Sequence, residues 1–230
     1  MNVQKLRVSG FFLAAVVSVS VAAVTVVLAA EPAVAVQGRL ETALADYTAG
    51  RMAPARAGFD LLARQGVPVA QYNLAVMHLR GEVPKPDVAL ARRLLIRAAK
   101  GGFVTAQFML AQSLENGHFG PRDLPLALRW YEVAAMAGSV DAQVAMGTAF
   151  YLGRGKRKDA AAAVRWFREG AKGGDVGAMY LLASMYEQGD GVAADLRLAR
   201  YWYDIAAKAG DDAAPLKVKE IDTKLAAVPS

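Results

Sequence analysis

Small, apolar and aromatic residues return along this chain at a fixed step of 36 residues. Ala70, Ala106, Ala142 and Ala178 open one series, and Leu74, Leu110, Met146 and Leu182 follow four residues on. Next come the small residues Ala75, Ala111, Gly147 and Ala183, and then the larger His78, Leu114, Phe150 and Tyr186. Spacings of one, three and four residues keep these positions on one side of a helix, so each period is predicted to hold a first helix with one buried stripe. A second helix is predicted around Ala91, Ala127, Ala163 and Ala199, with Leu94, Trp130, Trp166 and Trp202 three residues later. Small residues facing large ones let two helices approach closely, and the tryptophans are read as core rather than as a sugar platform.

Punctuation keeps the same step. Asp87, Asp123, Asp159 and Asp195 stand just before the second helices, where a carboxylate can cap free backbone N–H groups. Gly66, Gly102, Gly138, Gly174 and Gly210 follow those helices and read as stops in the left-handed conformation. Gly81, Gly117, Gly153 and Gly189 mark the loop inside each repeat. The predicted fold is all-α, a right-handed α/α superhelical solenoid of helix-turn-helix repeats with a 36-residue period. Residues 67–210 hold four repeats, 36–66 an opening helix pair turning at Gly50, and 211–230 a polar capping helix with Pro215 near its start and Lys217, Lys219, Glu220 and Lys224 exposed. The first repeat departs with Leu94-Leu95 in place of an aromatic pair and with two prolines in its loop, Pro84 and Pro86, without breaking the period.

A small pair after leucine, an aromatic four residues on, a glycine loop ending in Asp, then Ala199, Trp202, Tyr203, Ala206, Ala207 and Gly210 resemble the Sel1-like repeat, a short variant of the tetratricopeptide repeat. Ala45 to Gly50 followed by Ala55 and Phe59 resembles a tetratricopeptide-style opening pair. The resemblance implies a non-catalytic scaffold that binds proteins or peptides, of a kind found in bacterial envelopes. Some secreted relatives are described as penicillin-binding or weakly β-lactam-hydrolysing. No serine here is followed by Lys three residues on, and the cysteine pairs of that branch are missing.

Composition adds a location. Residues 11–30 carry no charge, follow Lys5 and Arg7, and lead to Ala33-Val34-Ala35 behind Pro32. That is the pattern of a secretory signal cleaved after Ala35, with an uncleaved membrane anchor as the alternative. Either places the remainder outside the cytoplasm, periplasmic or secreted or held at the inner membrane by residues 11–30. The absence of cysteine rules out disulfides and thiol chemistry, so the domain holds itself together by stacking. The net charge of +6 becomes +5 without Lys5, Arg7 and Glu31. No long basic run occurs, and nucleic acid is not an expected partner.

Candidate chemistry is sparse. His78 and His118 are the two histidines, one at a core position and one in a loop, too few for a zinc site. The loop Gly153-Arg-Gly-Lys-Arg-Lys158 lacks the spacing of a phosphate loop and reads as a solvated turn, with an anionic contact as the alternative. No catalytic residue, metal or cofactor is expected. A partner is expected on the inner, concave face, lined by residues opposite the buried stripe. These are Tyr72, Val76, Leu79 and Arg80, then Phe108, Gln112, Glu115 and Asn116, then Val144, Thr148, Tyr151 and Leu152, and finally Tyr180, Ser184, Glu187 and Gln188. They differ between repeats while the core does not, a composition suited to an extended peptide or a helix. The alternatives are recognition of peptidoglycan or another glycan by Tyr72, Phe108, Tyr151 and Tyr180, and modulation of a cell-wall enzyme.

Overall fold

The structure, a computed structural model, describes residues 33–227. The leader and anchor readings for residues 1–35 fall largely outside these residues. Among the described residues, no helix is long and apolar enough to cross a membrane. Eleven helices and no strand are found among them. Helix α1 occupies residues 33–48 and α2 Met52–Arg64, joined by the short turn at Gly50. Four pairs follow: α3 Pro68–Leu79 with α4 Val88–Lys100, α5 Val104–Asn116 with α6 Leu124–Met136, α7 Val140–Leu152 with α8 Ala160–Lys172, and α9 Val176–Gln188 with α10 Leu196–Lys208. Helix α11 spans Ala214–Ala226. From α2 onward each helix packs on the next, the order of an α/α solenoid.

Local chemistry explains the boundaries. The carboxylates of Asp87, Asp123, Asp159 and Asp195 accept backbone N–H groups of Leu90, Leu126, Ala162 and Leu198 at 2.8 to 3.0 Å. Ser139 and Asp175 cap α7 and α9 in the same way, a role the sequence pattern did not reveal. The glycines after the second helices all have positive φ, from +85° at Gly66 to +100° at Gly210.

Packing refines the expected core. Ala55, Ala91, Ala127, Ala163 and Ala199 are fully buried, so α2 already obeys the period of the later second helices. The tryptophans are only half-buried; the next residue, Leu95, Tyr131, Phe167 or Tyr203, is the deep one. Both positions lie on the alanine side of the helix. The residue four on from alanine faces the first helix of its own repeat, whereas Trp130 packs on core residues of two adjoining clusters and covers the seam between them. Glutamines add a tie that the sequence reading missed. The side-chain amides of Gln71, Gln107 and Gln143 each donate at 3.2 Å to the carbonyl of Ala63, Ala99 or Ala135, near the end of the preceding second helix. These links join adjacent repeats.

The first repeat closes its loop differently. In the later repeats the N–H of Asp123, Asp159 and Asp195 donates to the backbone carbonyl of Leu114, Phe150 and Tyr186. With Pro84 and Pro86 in the loop, the Asp87 N–H donates instead to Nδ1 of His78 at 3.1 Å. The histidine is therefore a loop fastener as well as a core residue.

Candidate functional site

The expected binding residues fall into three rows along the first helices. Tyr72, Phe108, Val144 and Tyr180 form the innermost row, each half-buried. Tyr72 meets the Phe103 ring at 5.1 Å, Phe108 meets Tyr131 at 5.7 Å and Tyr180 meets Tyr203 at 5.0 Å. Burial raises the Tyr72 phenol above its ordinary range. These rings are thus anchored at one side and open at the other.

The middle row is uneven. Val76 is buried at 9 % exposure and so is not open on the expected face. Gln112 is exposed, while Thr148 donates its hydroxyl to the Val144 carbonyl at 2.9 Å. The Ser184 oxygen accepts from the Gln188 amide at 3.1 Å.

The outer row contains an internal network. Tyr131 donates its hydroxyl to Glu115 at 2.7 Å, and Arg154 from the next loop pairs with Glu115 at 2.8 Å. Tyr203 donates to Glu187 at 3.1 Å, and Lys224 of α11 reaches the same carboxylate at 2.6 Å. Burial pushes the Glu187 carboxyl up, but the bonds from Lys224 and Tyr203 outweigh it and hold the group below its usual range. Burial, followed by the carboxylate it serves, drives the Tyr131 phenol well upward. Glu115 and Glu187 are therefore committed within the fold; Lys224 is exposed as expected while reaching Glu187, and Lys217, expected to be exposed, is half-buried beside the same carboxylate. Tyr151 occupies the equivalent position without a carboxylate, meeting Phe167 at 6.5 Å with the Lys158 ammonium 5.7 Å from its ring centre.

At the first repeat, Arg80 donates to the Tyr47 hydroxyl at 3.2 Å while Tyr47 donates to Glu82 at 2.9 Å. Sequence reasoning missed Tyr47, Tyr131, Arg154 and Tyr203 as neighbours of this face. A signal existed: glutamate occurs in the outer row only where tyrosine stands sixteen residues later. Asn116, Leu152 and Gln188 are exposed along the same edge, Leu152 at 64 %.

The face that remains is uncharged for most of its length, with anchored rings, amides and exposed leucines around two neutralised carboxylates. Such a surface can bind by shape, apolar contact and amide hydrogen bonds. Among the described residues no three His, Cys, Asp or Glu side chains group closely enough to hold a metal ion. His118 is an exposed loop residue.

Known proteins share this arrangement. The model of the Sel1 repeat matches residues 68–103, 104–139, 140–175 and 176–211. A Sel1 repeat protein from Oxalobacter formigenes is similar over 73 % of this chain and 49 % of its own, at 32 % identity and a TM-score of 0.70. The c5321 protein, a protective antigen of uropathogenic Escherichia coli strains with an SLR fold, is 31 % identical over 69 % of this chain and 34 % of its own, with a TM-score of 0.65. The chain thus spans about half the length of the first and a third of the second. No curated protein matches the sequence. Four matched repeats in unbroken succession, on a fold shared with these relatives, make the chain a member of the Sel1 repeat family.

Proposed function

We propose that this protein is an exported, non-catalytic scaffold of the cell envelope that grips a protein or peptide with the free face of its first helices. Sel1 repeats generally mediate protein–protein contacts. The observation that carries the reading is the contrast between a repeated core and a face that changes from repeat to repeat. Tyr72, Phe108, Gln112, Asn116, Tyr151 and Gln188 are available to a partner, whereas Glu115 and Glu187 set the shape beneath it. The half-buried rings, each already seated against another aromatic, favour a polypeptide over a glycan, which would stack on open ring faces. The uncharged segment at 11–30 supports export.

Capture from intact cells tests this reading. A tagged parent is compared with a Tyr72→Ala, Gln112→Ala, Tyr151→Ala variant that melts cooperatively. A polypeptide recovered by the parent and lost by the variant supports the face as the site. Equal recovery excludes it, and retention on purified wall material would return the glycan reading. The N-terminal residue of the protein from the envelope fraction reports cleavage after Ala35.

A further inference from the structure

The two sides of the array differ in charge. Helices α3, α5, α7 and α9 contain no Lys or Arg and three carboxylates, Glu115, Asp141 and Glu187. The second helices carry four Lys or Arg residues in α4, one in α6 and three each in α8 and α10, against Glu132, Glu169 and Asp204. Some of these cations have an ordinary explanation, since Lys100, Lys172 and Lys208 end their helices, where the backbone dipole favours positive charge. Arg93, Arg129 and Arg165 do not. They occupy the same mid-helix position in three consecutive repeats, are exposed, and have no ion-pair or hydrogen-bond partner among the described residues.

Beside Arg165 two grooves of about 550 and 620 Å³ share Phe150. Phe150 and Trp166, both half-buried, supply their apolar wall. The carboxylates there are all engaged: Glu132 with Lys156 at 3.2 Å, Glu169 with Lys172 at 2.8 Å, and Asp159 with the N–H of Ala162. Arg168 is spent on the Tyr186 hydroxyl at 2.8 Å. Arg157 and Arg165 therefore face the grooves without compensating charge. The loop that carries Arg157 is seated, because Gly155 lies so close against Leu124 and Leu128 that a Cβ would come within 2.7 to 2.9 Å of their side chains.

We propose that this trough, between α8 and the loop that follows α7, is a second docking site that takes an acidic polypeptide segment bearing an aromatic or large apolar side chain. Carboxylates of the segment meet Arg157 and Arg165, whose guanidinium forks suit bidentate pairing, and the apolar side chain lies against Phe150 and Trp166. A simple polyanion would make no use of that wall. An anionic membrane surface would meet resident carboxylates in a recessed groove, so polypeptide is the better fit. The inference stands apart from the first-helix reading and shares no residue with it.

Fluorescence anisotropy on the full chain tests it, with an end-capped peptide of repeated Glu-Glu-Phe triplets as probe. Glu-Glu-Gln triplets and vesicles of phosphatidylglycerol or phosphatidylcholine serve as comparisons. The Phe-containing peptide is expected to bind about tenfold more tightly than its Gln counterpart, with affinity falling as salt rises. Arg157→Glu with Arg165→Glu is expected to weaken it at least about tenfold, whereas Tyr72→Ala with Gln112→Ala leaves it unchanged. Should the charge reversal disturb folding, Arg157→Gln with Arg165→Gln, read by melting and anisotropy together, gives the same comparison. Absence of binding by the parent, equal affinity for both peptides, indifference to the arginine changes, or binding to anionic vesicles alone would each overturn the proposal.

Discussion

At Glu187 one carboxylate joins three elements: α9 carries it, Tyr203 of α10 donates to it, and Lys224 and Lys217 of α11 surround it. Its folded pKa lies below the ordinary value, so its contribution to stability is complete above the normal glutamate range and is lost as pH falls through the folded pKa. The melting-temperature gap between the parent and Glu187→Gln is therefore expected to be widest near about pH 6 and to close towards about pH 3. Subtracting the variant cancels the other carboxylates, and a gap constant with pH would contradict the assignment. Backbone at Gly191 gives a second residue-scale test. Its φ is +71° and a Cβ would lie 2.3 Å from the Ala160 carbonyl carbon, whereas Gly174, at φ +96°, faces open space. Gly174→Ala should cost about 1 to 2 kcal/mol from the left-handed conformation alone, and Gly191→Ala about 1 to 3 kcal/mol more because the loop must lift from α8. Urea midpoints compare the two.

Helix–helix ties set the next scale. Gln107 Nε2 bonds the Ala99 carbonyl in a buried setting, and Met179 fills the same position in the fourth repeat. Gln107→Ala should cost about 1 to 3 kcal/mol through the lost bond and the cavity left behind, the Ala99 carbonyl keeping the Gly102 N–H, and Gln107→Met distinctly less because it refills the space. Gln112→Ala, one turn away and exposed, should stay within about 0.5 kcal/mol. Denaturant unfolding of the three variants decides whether the glutamines are structural. The pattern made the alanine and leucine stripes readable because each is sampled once per period, and four copies average out local noise. It could not rank two adjacent large residues such as Trp202 and Tyr203, since positions three and four on from Ala199 share a helical side. Nor could periodicity show that Glu115 and Glu187 are consumed internally. It gives the direction a side chain leaves its helix, not the partner a second helix or a later loop brings to it. His78 was legible as a core residue, and its bond to Asp87 was not, because that bond depends on how two prolines route the loop.

Among the described residues stability is a sum of helix pairs and the interfaces between neighbours, since from α2 onward the main helix contacts join consecutive elements. Helix α11 fully buries only Ala214 and Ile221 and packs Val218 and Leu225 partly against the core; beyond its bonds to Glu187 it adds the exposed Arg200–Asp222 pair, which contributes little. Opening should therefore start at this end. In hydrogen exchange on the full chain, amides of α11 should exchange first, then those of α9 and α10, with α5 to α8 protected longest. Ile221 is fully buried, so Ile221→Ala removes about 2 to 5 kcal/mol from the α11 interface. In a nearest-neighbour array that loss is felt chiefly where it occurs: α11 amides should lose nearly all protection while those of α6 and α7 keep most of theirs. An equal loss in α7 and α11 would mean that the array unfolds as one block, and coupling would then have to travel through the interfaces between consecutive helices. A local loss would instead leave the first-helix face of the earlier repeats intact for its partner even while the capped end is open.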